Sequence, residues 1–553
     1  MRHGQRLVLG AALGDCVHVA GLLGFLRLAE QTGYRTRFLG PAVPVDRLLE
    51  AVEQEQPDLV AVSYRLGPVA ATQLLRQLEE EVKARRIAAR FVFGGTPEVA
   101  EVARRIPLFD AVFSGKEPLE EIVAFLRGET AEALELRHAD TLVERIAQQY
   151  PHPLIRHHFG LPTVEDTVKG AEQIARAQVL DVLSLGPDQN AQECFFRPEE
   201  QDPSQDGAGG VPIRKPEDLQ RIWAATRCGN YPLVRCYSGT RDLIRMAEVL
   251  VRTIHNAWCA VPLFWYNVLD ARSTRPLREA ISENQACMAW HARHGIPVEV
   301  NESHHWSLRD APDSVAVAAA FLAAYNAKKQ GVRHYVAQFM FNTPPGTSVA
   351  MDLAKMLAKI DLIEQLVDSE FTVFRQVRAG LASFPADMHL AKGHLGSTTL
   401  VGMMLKPHIL HVVGYCEGDH AARPEDVIES CLIARGAIRH ALLGLPDMVS
   451  IPEIARRRDQ LKRDALLILQ TIKQLAPNGV EDPWTDPETL ARAVESGLLD
   501  APHLKGNPHA CGRVVTRMVD GMCVAVDEET GMPLSEEQRI ARLDLGSHTG
   551  RRR

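Results

Sequence analysis

Paired cysteines are missing from this sequence of 553 residues. Its ten cysteines form no CxxC pair and no CxxxCxxC cluster, which excludes a readable zinc knuckle and a cysteine-ligated iron–sulfur cluster. A chain of this length can fold without a disulfide framework, because it is long enough to bury a sizeable apolar core. We therefore expect a reducing compartment and a cytoplasmic location.

Long apolar runs and an excess of basic charge are also missing. No stretch approaches the ~18 uninterrupted apolar residues of a transmembrane helix, and the apolar run Leu7–Gly14 meets Asp15 too early for a signal peptide. The net charge of -8 gives a nucleic-acid role no bulk electrostatic support. We expect no membrane and no nucleic-acid partner. With 46% hydrophobic and 24% charged residues the chain has the balance of a globular protein, not of a disordered one.

The first 128 residues alternate short apolar strands with helices. Continuous apolar runs such as Leu59–Ser63 are typical of strands buried on both faces of a parallel sheet. The predicted strands are Leu7–Leu13, Thr36–Leu39, Leu59–Ser63, Phe91–Phe93 and Ala111–Phe113. Five such strands with helices between them predict a doubly wound, flavodoxin-like (Rossmann-like) domain, whose ligand binds beyond the carboxyl ends of the strands.

The rest of the chain repeats a strand, a polar loop and a helix. Six or seven strands are readable, among them Val179–Leu185, Leu233–Tyr237, Leu263–Val268, Pro297–Val300, Val332–Phe341 and His408–Tyr415. This pattern predicts a (β/α)8 TIM barrel with its active site at the carboxyl ends of the strands, so the whole chain is of the α/β class. We predict domains at 1–128 and 156–475, a linker at 129–155, and a C-terminal extension with a β-hairpin at 476–553.

The loops after the N-terminal strands carry a recognisable pattern. The first loop reads Gly14-Asp15-Cys16-Val17-His18-Val19-Ala20-Gly21, the third strand ends in Ser63-Tyr64-Arg65-Leu66-Gly67, and the fourth ends in Gly94-Gly95. This pattern resembles the cobalamin-binding domain of the base-off/His-on class, found in glutamate mutase, methylmalonyl-CoA mutase and methionine synthase. That family places Asp-x-His-x-x-Gly after the first strand, Ser-x-Leu after the third and Gly-Gly after the fourth.

The resemblance implies a role for each matching residue. His18 would be the lower ligand of the cobalt, and Asp15 would hold its other ring nitrogen, since a carboxylate partner fixes the tautomer of a ligating histidine. Ser63 would donate a hydrogen bond to the buried nucleotide tail. The remaining predicted cofactor-binding residues, which line the same loops and let the backbone approach the corrin, are Gly21, Leu66, Gly67, Gly94, Gly95, Ser114 and Gly115.

Two positions depart from the family pattern. The spacing from Asp15 to His18 is one residue longer than in the family, and Arg65 stands where the family has leucine. Either a one-residue bulge restores the contact of Asp15 with His18, or His18 is a ligand without that partner. A generic flavodoxin-like domain is the alternative interpretation.

The barrel is similar, more loosely, to the large subunit of glutamate mutase. Arg235-Cys236-Tyr237-Ser238-Gly239-Thr240 is similar to the family's Arg-His-Gly-Thr strand end, where an arginine binds a substrate carboxylate. The C-terminal hairpin, predicted at Gly512–Thr516 and Met522–Asp527, also resembles the end of that subunit. The resemblance implies an adenosylcobalamin-dependent isomerase that rearranges a small carboxylate-bearing substrate through a 5'-deoxyadenosyl radical, and it favours a homodimer.

Polar residues at the barrel's strand ends are the candidates for catalysis. Arg235 and Arg241 are candidates for binding a carboxylate, because arginine binds carboxylates with two parallel hydrogen bonds. Glu299 and Asn301 would share one face of a strand. His304 and His305, read as strand residues on opposite sides, make a poor metal pair and are candidates for acid–base work or adenosine contact. Asn342 is the last of the predicted catalytic residues.

Two other functions compete with the isomerase. One is a corrinoid methyltransferase like methionine synthase, but no helical cap precedes Leu7. The other is a non-enzymatic cobalamin carrier or sensor, which would not need a barrel with polar strand ends.

Overall fold

The computed structural model describes residues 6–117, 119–128, 138–543 and 545. The chain divides into two units, one formed by residues 1–137 with 439–445 and the other by residues 138–438 with 446–553. Part of the predicted linker, at 129–137, and the end of the predicted C-terminal extension, at 546–553, lie outside the described residues.

The first unit contains a five-stranded parallel sheet. Its strands are β1 (Leu7–Leu13), β2 (Arg35–Val43), β3 (Leu59–Tyr64), β4 (Arg90–Gly95) and β5 (Phe109–Phe113), in the spatial order β2-β1-β3-β4-β5. Its helices are α1 (Ala20–Gln31), α2 (Val45–Glu55), α3 (Pro68–Ala84), α4 (Pro97–Ala103) and α5 (Leu119–Arg127). This strand order is that of the flavodoxin-like fold, so the prediction for this part of the chain is confirmed.

Apolar packing on both faces explains why β1 and β3 read as continuous apolar runs. Every residue of β1 is buried. Leu48 of α2 and Leu75 of α3 pack on one face, and Leu22 and Leu26 of α1 pack on the other. Helices on both faces leave the carboxyl ends of the strands as the edge at which polar loops collect.

The second unit contains an eight-stranded parallel sheet that curls into a nearly closed barrel, as predicted. Its strands are β6 (Leu154–Phe159), β7 (Val182–Leu185), β8 (Leu233–Arg235), β9 (Cys259–Val261), β10 (Val298–Val300), β11 (His334–Phe341), β12 (Thr372–Ala379) and β13 (Ile409–Val412). The spatial order is β8-β7-β6-β13-β12-β11-β10-β9. Across the two edges, the Ala257 N–H donates to the Val234 carbonyl at 3.0 Å and the Ser238 N–H donates to the Ala260 carbonyl at 3.3 Å.

Three of these strands differ from the sequence prediction. The strands β6 and β12 were not predicted, and β6 lies where a linker was expected to end. The predicted strand Leu263–Val268 is wrong in position, because the barrel uses Cys259–Val261 and then turns. In the loop that follows, the Glu302 carboxylate accepts hydrogen bonds from the N–H groups of Leu263 and Phe264.

Helices surround the barrel and a hairpin follows it. The helices are α6 (Leu142–Gln149), α7 (Val164–Arg176), α8 (Gln189–Glu193), α9 (Pro216–Ala225), α10 (Leu243–Ile254), α11 (Leu277–Arg293), α12 (Ser303–Ser307), α13 (Asp313–Lys329), α14 (Val349–Glu364), α15 (Met388–Gly402), α16 (Pro424–Leu442), α17 (Pro452–Gln474), α18 (Pro487–Glu495) and α19 (Glu536–Ala541). The antiparallel hairpin pairs β14 (Val515–Val519) with β15 (Met522–Val526). Among the described helices, none has both the length and the apolar character of a membrane span.

The amino-terminal end of the barrel is closed by apolar side chains. Leu142 and Ile146 of α6 pack there on a layer formed by Leu154, Val182, Leu233, Trp258, Val336, Phe374 and Ile409. This layer confines polar groups to the middle of the barrel and its carboxyl end, where the candidate site lies.

Truncation of Ile146, which is 6% exposed, tests this closure. Ile146→Ala leaves a cavity under the barrel, and we expect it to lower the free energy of unfolding by roughly 2–5 kcal/mol. All six tryptophans belong to the second unit, so denaturant unfolding followed by tryptophan fluorescence reports on that unit. The control is Leu466→Ala on α17. Leu466 is 43% exposed, so we expect this substitution to change the free energy of unfolding by at most about 0.5 kcal/mol. An equal loss of unfolding free energy in the two variants would contradict the role of Ile146 in closing the barrel.

Candidate functional site

The first candidate site is the carboxyl edge of the N-terminal sheet, where the first loop presents His18. Gly14 has a φ of +62°, a left-handed conformation that glycine adopts without strain, and it turns the chain out of β1. His18 is exposed, and in the described part of the chain no hydrogen bond to its imidazole is found. The ring is therefore free to bind a ligand. Its role as the cobalt ligand stays a prediction.

Asp15 has a different partner from the one expected. The Tyr64 hydroxyl donates to its carboxylate at 3.2 Å, and within the described residues no hydrogen bond joins Asp15 to His18. Burial and the neighbouring carboxylate raise the pKa of Tyr64, so the phenol is protonated at neutral pH. Tyr64 was not singled out from the sequence, although it directly follows Ser63. The contact ties the first loop to the end of β3.

The positions of Ser63 and the double glycine suit a buried polar ligand. Ser63 is 8% exposed, and its hydroxyl has no partner among the described residues. Opposite it in the sheet lies Gly94, where no described atom comes within 4 Å of an ideal Cβ. At Gly95 a Cβ would meet the Tyr64 carbonyl at 2.7 Å, so this position requires glycine for packing. An unpaired hydroxyl beside open space fits a nucleotide tail.

The other predicted cofactor-binding residues lie on the same edge or next to it. Gly21, Gly67 and Gly115 have open space where a Cβ would stand, and Leu66 is 47% exposed. Ser114 and the Gly115 N–H bind the Glu117 carboxylate. Burial alone would raise the pKa of Glu117, but these hydrogen bonds lower it. The loop after β5 is thus held by its own acidic residue.

The second candidate site is the polar middle of the barrel, which is built around Glu299. Arg156 donates to the Glu299 carboxylate at 3.3 Å, to Gln376 at 2.6 Å and to the Ser184 hydroxyl at 2.7 Å. The Trp258 indole N–H donates to Glu299 at 2.8 Å. Burial raises the pKa of Glu299, but the charges of Arg156 and Arg235 outweigh it and lower the pKa below its usual value. Glu299 is therefore ionised.

Arg235 is the less satisfied of the two arginines. Only 2% exposed, it lies 3.8 Å from the Glu299 carboxylate and 4.9 Å from the centre of the Trp258 ring. Its Nε atom is buried and has no hydrogen-bond partner in the part of the chain that the structure describes. A buried guanidinium with an unused donor is expected to bind an acceptor, and a carboxylate suits its geometry.

Neutral histidines and a third arginine surround this pair of arginines. The rings of His158 and His411 lie 4.9 Å apart. Burial and the nearby arginines lower the pKa of both well below the usual value. Burial lowers the pKa of Arg378 to about 10, although Glu417 and Glu299 oppose it, so Arg378 stays protonated at neutral pH. The three arginines Arg156, Arg235 and Arg378 outnumber the two carboxylates Glu299 and Glu417 that face them, which favours an anionic ligand.

The residues after β10 form a helix and not a strand. His304 and His305 lie on α12, and their ring centres are 4.5 Å apart, so the prediction that they point to opposite sides of a strand is wrong. Glu302, which was not a candidate, directly precedes this helix, and its carboxylate accepts hydrogen bonds from the loop after β9. Gln338 is 3.0 Å from His304 Nδ1. The His305 Nε2 and Asn301 Oδ1 atoms are buried without partners among the described residues.

Arg241 and Asn342 are engaged elsewhere. Arg241 forms an ion pair with Glu200 at 2.6 Å, and Glu193 lies 3.8 Å away. Asn342, with a φ of +56°, donates its N–H to Asp352 and accepts from Thr398. The structure thus brings Arg235 and Glu299 together, whereas no contact found in the described part of the chain joins Arg241 or Asn342 to them.

Comparison with known proteins identifies the N-terminal unit. A family model described as the B12 binding domain matches residues 6–123. Residues 6–123 form a B12-binding domain. Because B12 is cobalamin, the predicted cofactor class is confirmed, while its adenosyl form stays a prediction. The match covers the flavodoxin-like sheet and ends before the barrel.

Some solved structures show a weak likeness to this chain. A novel cobalamin-binding protein from Desulfitobacterium hafniense is 24% identical over 20% of this chain and 52% of that one, with a TM-score of 0.18. The chain thus spans about half of that protein. The cobalamin-dependent S-adenosylmethionine radical enzyme OxsB is 11% identical in its apo form (79% of this chain, 56% of that one, TM-score 0.18). The structure of the same enzyme with aqua-cobalamin bound is 10% identical over 88% of this chain and 71% of that one, with a TM-score of 0.19.

A bulky side chain at Gly94 tests whether the open space there receives the cofactor. Gly94→Leu fits the ligand-free domain, because that space is open, but it would fill the volume that the nucleotide tail needs. We expect aquocobalamin to bind at least about tenfold more weakly, by absorbance titration, with the unfolding midpoint unchanged by circular dichroism. Ala88→Leu, an exposed site before the amino end of β4, is the control. Unchanged affinity in Gly94→Leu would place the tail elsewhere.

Proposed function

We propose that this protein is a cobalamin-dependent enzyme that binds the cofactor in its N-terminal domain and a small carboxylate-bearing substrate in its barrel. The B12-binding domain supports the first half. The observation that carries the second half is the buried Arg235, whose Nε lacks a partner among the described residues while Glu299 is shared with Arg156. A carboxylate would satisfy this guanidinium and balance the surplus positive charge.

The N-terminal residues fit a cobalamin bound with its own base displaced. His18 would be the lower ligand of the cobalt, and Ser63 would donate to the nucleotide tail beside Gly94. Asp15, bonded to Tyr64, would hold the loop that carries His18 instead of orienting the ring directly. When bound, adenosylcobalamin supplies a 5'-deoxyadenosyl radical by homolytic cleavage of its cobalt–carbon bond.

The barrel residues would position the substrate and protect it from water. Arg235 would bind the substrate carboxylate with two parallel hydrogen bonds, while Trp258 and Glu299 keep its guanidinium in place. His304 and His305, whose pKa values burial lowers, would act as neutral hydrogen-bonding groups near the reacting atoms. Their burial excludes water from a site where a radical must not be quenched.

Within this class, we infer a carbon-skeleton isomerase of the glutamate mutase type. The support is the resemblance of the Arg235 strand end and of the C-terminal hairpin to that family. A methyltransferase would use the same N-terminal domain with a different cobalamin, so cofactor preference separates the two. A carrier or sensor is disfavoured, because it has no use for a buried guanidinium with a free donor inside a barrel.

Substitution of His18 tests the cobalt ligand. Titration of the full chain with adenosylcobalamin should give the base-off/His-on absorption spectrum, and His18→Ala should lose it because the lower ligand is gone. His389→Ala, an exposed histidine of the second unit, is the control and should behave as wild type. Tighter binding of methylcobalamin than of adenosylcobalamin would favour the methyltransferase. An unchanged spectrum in His18→Ala would refute the assignment of the ligand.

Exchange of Arg235 tests the carboxylate site. Arg235→Met should weaken the binding of short mono- and dicarboxylates by about thirtyfold or more, since it removes a buried charged partner worth roughly 2–5 kcal/mol. Tryptophan fluorescence is the readout, because Trp258 contacts the guanidinium. Arg241→Met is the matched control, since its ion pairs with Glu200 and Glu193 are partly exposed. A loss of carboxylate affinity in Arg241→Met but not in Arg235→Met would contradict the proposal.

A further inference from the structure

A cluster of buried metal-ligating side chains lies outside both candidate sites. A ligand atom from each of Cys259, Cys287 and His291 lies within 4.8 Å of the other two. All three side chains are fully buried. The proposed catalytic chemistry does not use them, and the B12-binding match ends at residue 123.

The topology explains how these residues come together. Trp258 contacts Glu299 inside the barrel, so the next residue, Cys259, faces outward toward the surrounding helices. Cys287 and His291 are four residues apart on α11, which places them on one face of that helix. Ser238, just after β8, brings its hydroxyl to 3.3 Å from Cys259 Sγ and 3.8 Å from Cys287 Sγ.

The histidine is arranged as a ligating histidine usually is. His291 Nδ1 lies 2.8 Å from the Cys287 carbonyl oxygen and donates to it, which fixes the proton on Nδ1. The other nitrogen, Nε2, then carries a lone pair, and it is buried without a partner among the described residues. In metal sites the non-ligating ring N–H is commonly held by such a carbonyl. His291 Nδ1 also lies 3.7 Å from Cys287 Sγ, so the histidine belongs to the same cluster as the thiols, and its unpartnered buried Nε2 points to a cation.

The distances suit a small tetrahedral ion. Zinc lies about 2.3 Å from a thiolate sulfur, so its ligand atoms stand about 3.8 Å apart. Ser238 Oγ lies 3.3 Å and 3.8 Å from the two sulfurs, at or below this value. The ligand atoms of Cys259, Cys287 and His291 lie within 4.8 Å of one another, so zinc binding would need them to move together by at most about 1 Å. Two thiolates, an imidazole and a hydroxyl oxygen would complete four ligands.

We propose that Cys259, Cys287 and His291 bind a zinc ion, with Ser238 as the fourth ligand. Binding displaces the two thiol protons to solvent, forms two zinc–sulfur bonds, one zinc–nitrogen bond and one bond to the serine oxygen, and changes no oxidation state. The ion joins the end of β8, the strand β9 and the helix α11. It thereby closes the one junction of the barrel that depends on two isolated backbone hydrogen bonds in the described structure.

The location gives the ion a structural role beside the carboxylate site. Arg235 is the last residue of β8, and Trp258 directly precedes β9. An ion that fixes these two strands would therefore fix the guanidinium and the indole that it contacts. We expect zinc to raise the unfolding midpoint of the second unit, followed by tryptophan fluorescence, because it binds only the folded cluster.

The test is a metal titration of the full chain, purified under reducing conditions, freed of metal and kept free of cobalamin. Elemental analysis after equilibration with zinc should find one zinc per chain. Cobalt(II) used as a probe in place of zinc should give thiolate-to-cobalt absorption in the near ultraviolet. The double variant Cys259→Ser/Cys287→Ser should bind zinc at least about hundredfold more weakly. Cys431→Ser, another fully buried cysteine, is the matched control and should bind as wild type.

Each other outcome overturns the proposal. If the wild-type chain binds no zinc and shows no thiolate-to-cobalt band, the proposal is refuted even if the variants fail to fold. Full zinc occupancy in a folded Cys259→Ser/Cys287→Ser variant also refutes the proposal. A chain that takes up no metal and contains a Cys259–Cys287 disulfide would assign the cluster to thiol chemistry instead. Because cobalamin is absent throughout, these results are independent of the proposed enzyme activity.

Discussion

The Glu299 carboxylate, shared by Arg156, Arg235 and the Trp258 N–H, is the interaction on which the barrel interior depends. Removing charged groups from water is costly unless they are paired, and here one carboxylate faces two fully buried guanidinium groups. The neighbouring histidines His158 and His411 are neutral, so they add no further positive charge and only accept or donate hydrogen bonds. The barrel thus retains a surplus of positive charge that a small anion would balance, and this links the packing of the interior to the class of substrate that we propose.

The N-terminal domain follows from a different constraint, the common direction of its parallel strands. Their carboxyl ends meet at one edge, and the order β2-β1-β3-β4-β5 puts the topological switch between β1 and β3. Ser63 pairs with Ala12 of β1 on one side and with Gly94 of β4 on the other. The loop that carries His18 therefore begins next to the unpaired hydroxyl and the open space, which suits the cobalamin with a displaced base that we propose.

The two barrel strands that the sequence pattern missed altogether, β6 and β12, carry polar side chains into the barrel. Leu59–Tyr64 is buried on both faces and was readable, whereas β6 and β12 place Arg156, His158, Gln376 and Arg378 on their strands and break the apolar pattern. Those same residues form much of the barrel site, so it was only partly predicted. Arg235 and Arg241 look alike in sequence, and only the tertiary ion pair of Arg241 with Glu200 separates them. The contact of Asp15 with Tyr64 likewise depends on a neighbouring strand.

The most direct test of the account is the EPR spectrum of the cob(II)alamin-loaded chain labelled with nitrogen-15 only in its histidines. The nitrogen that ligates the cobalt splits each line, into a triplet for nitrogen-14 and into a doublet for nitrogen-15. We predict a doublet in the labelled chain and a triplet in the unlabelled chain, because we propose that a histidine of the N-terminal domain replaces the cofactor's own base. A triplet that persists in the labelled chain would mean that the base still ligates the cobalt, and it would contradict the central claim.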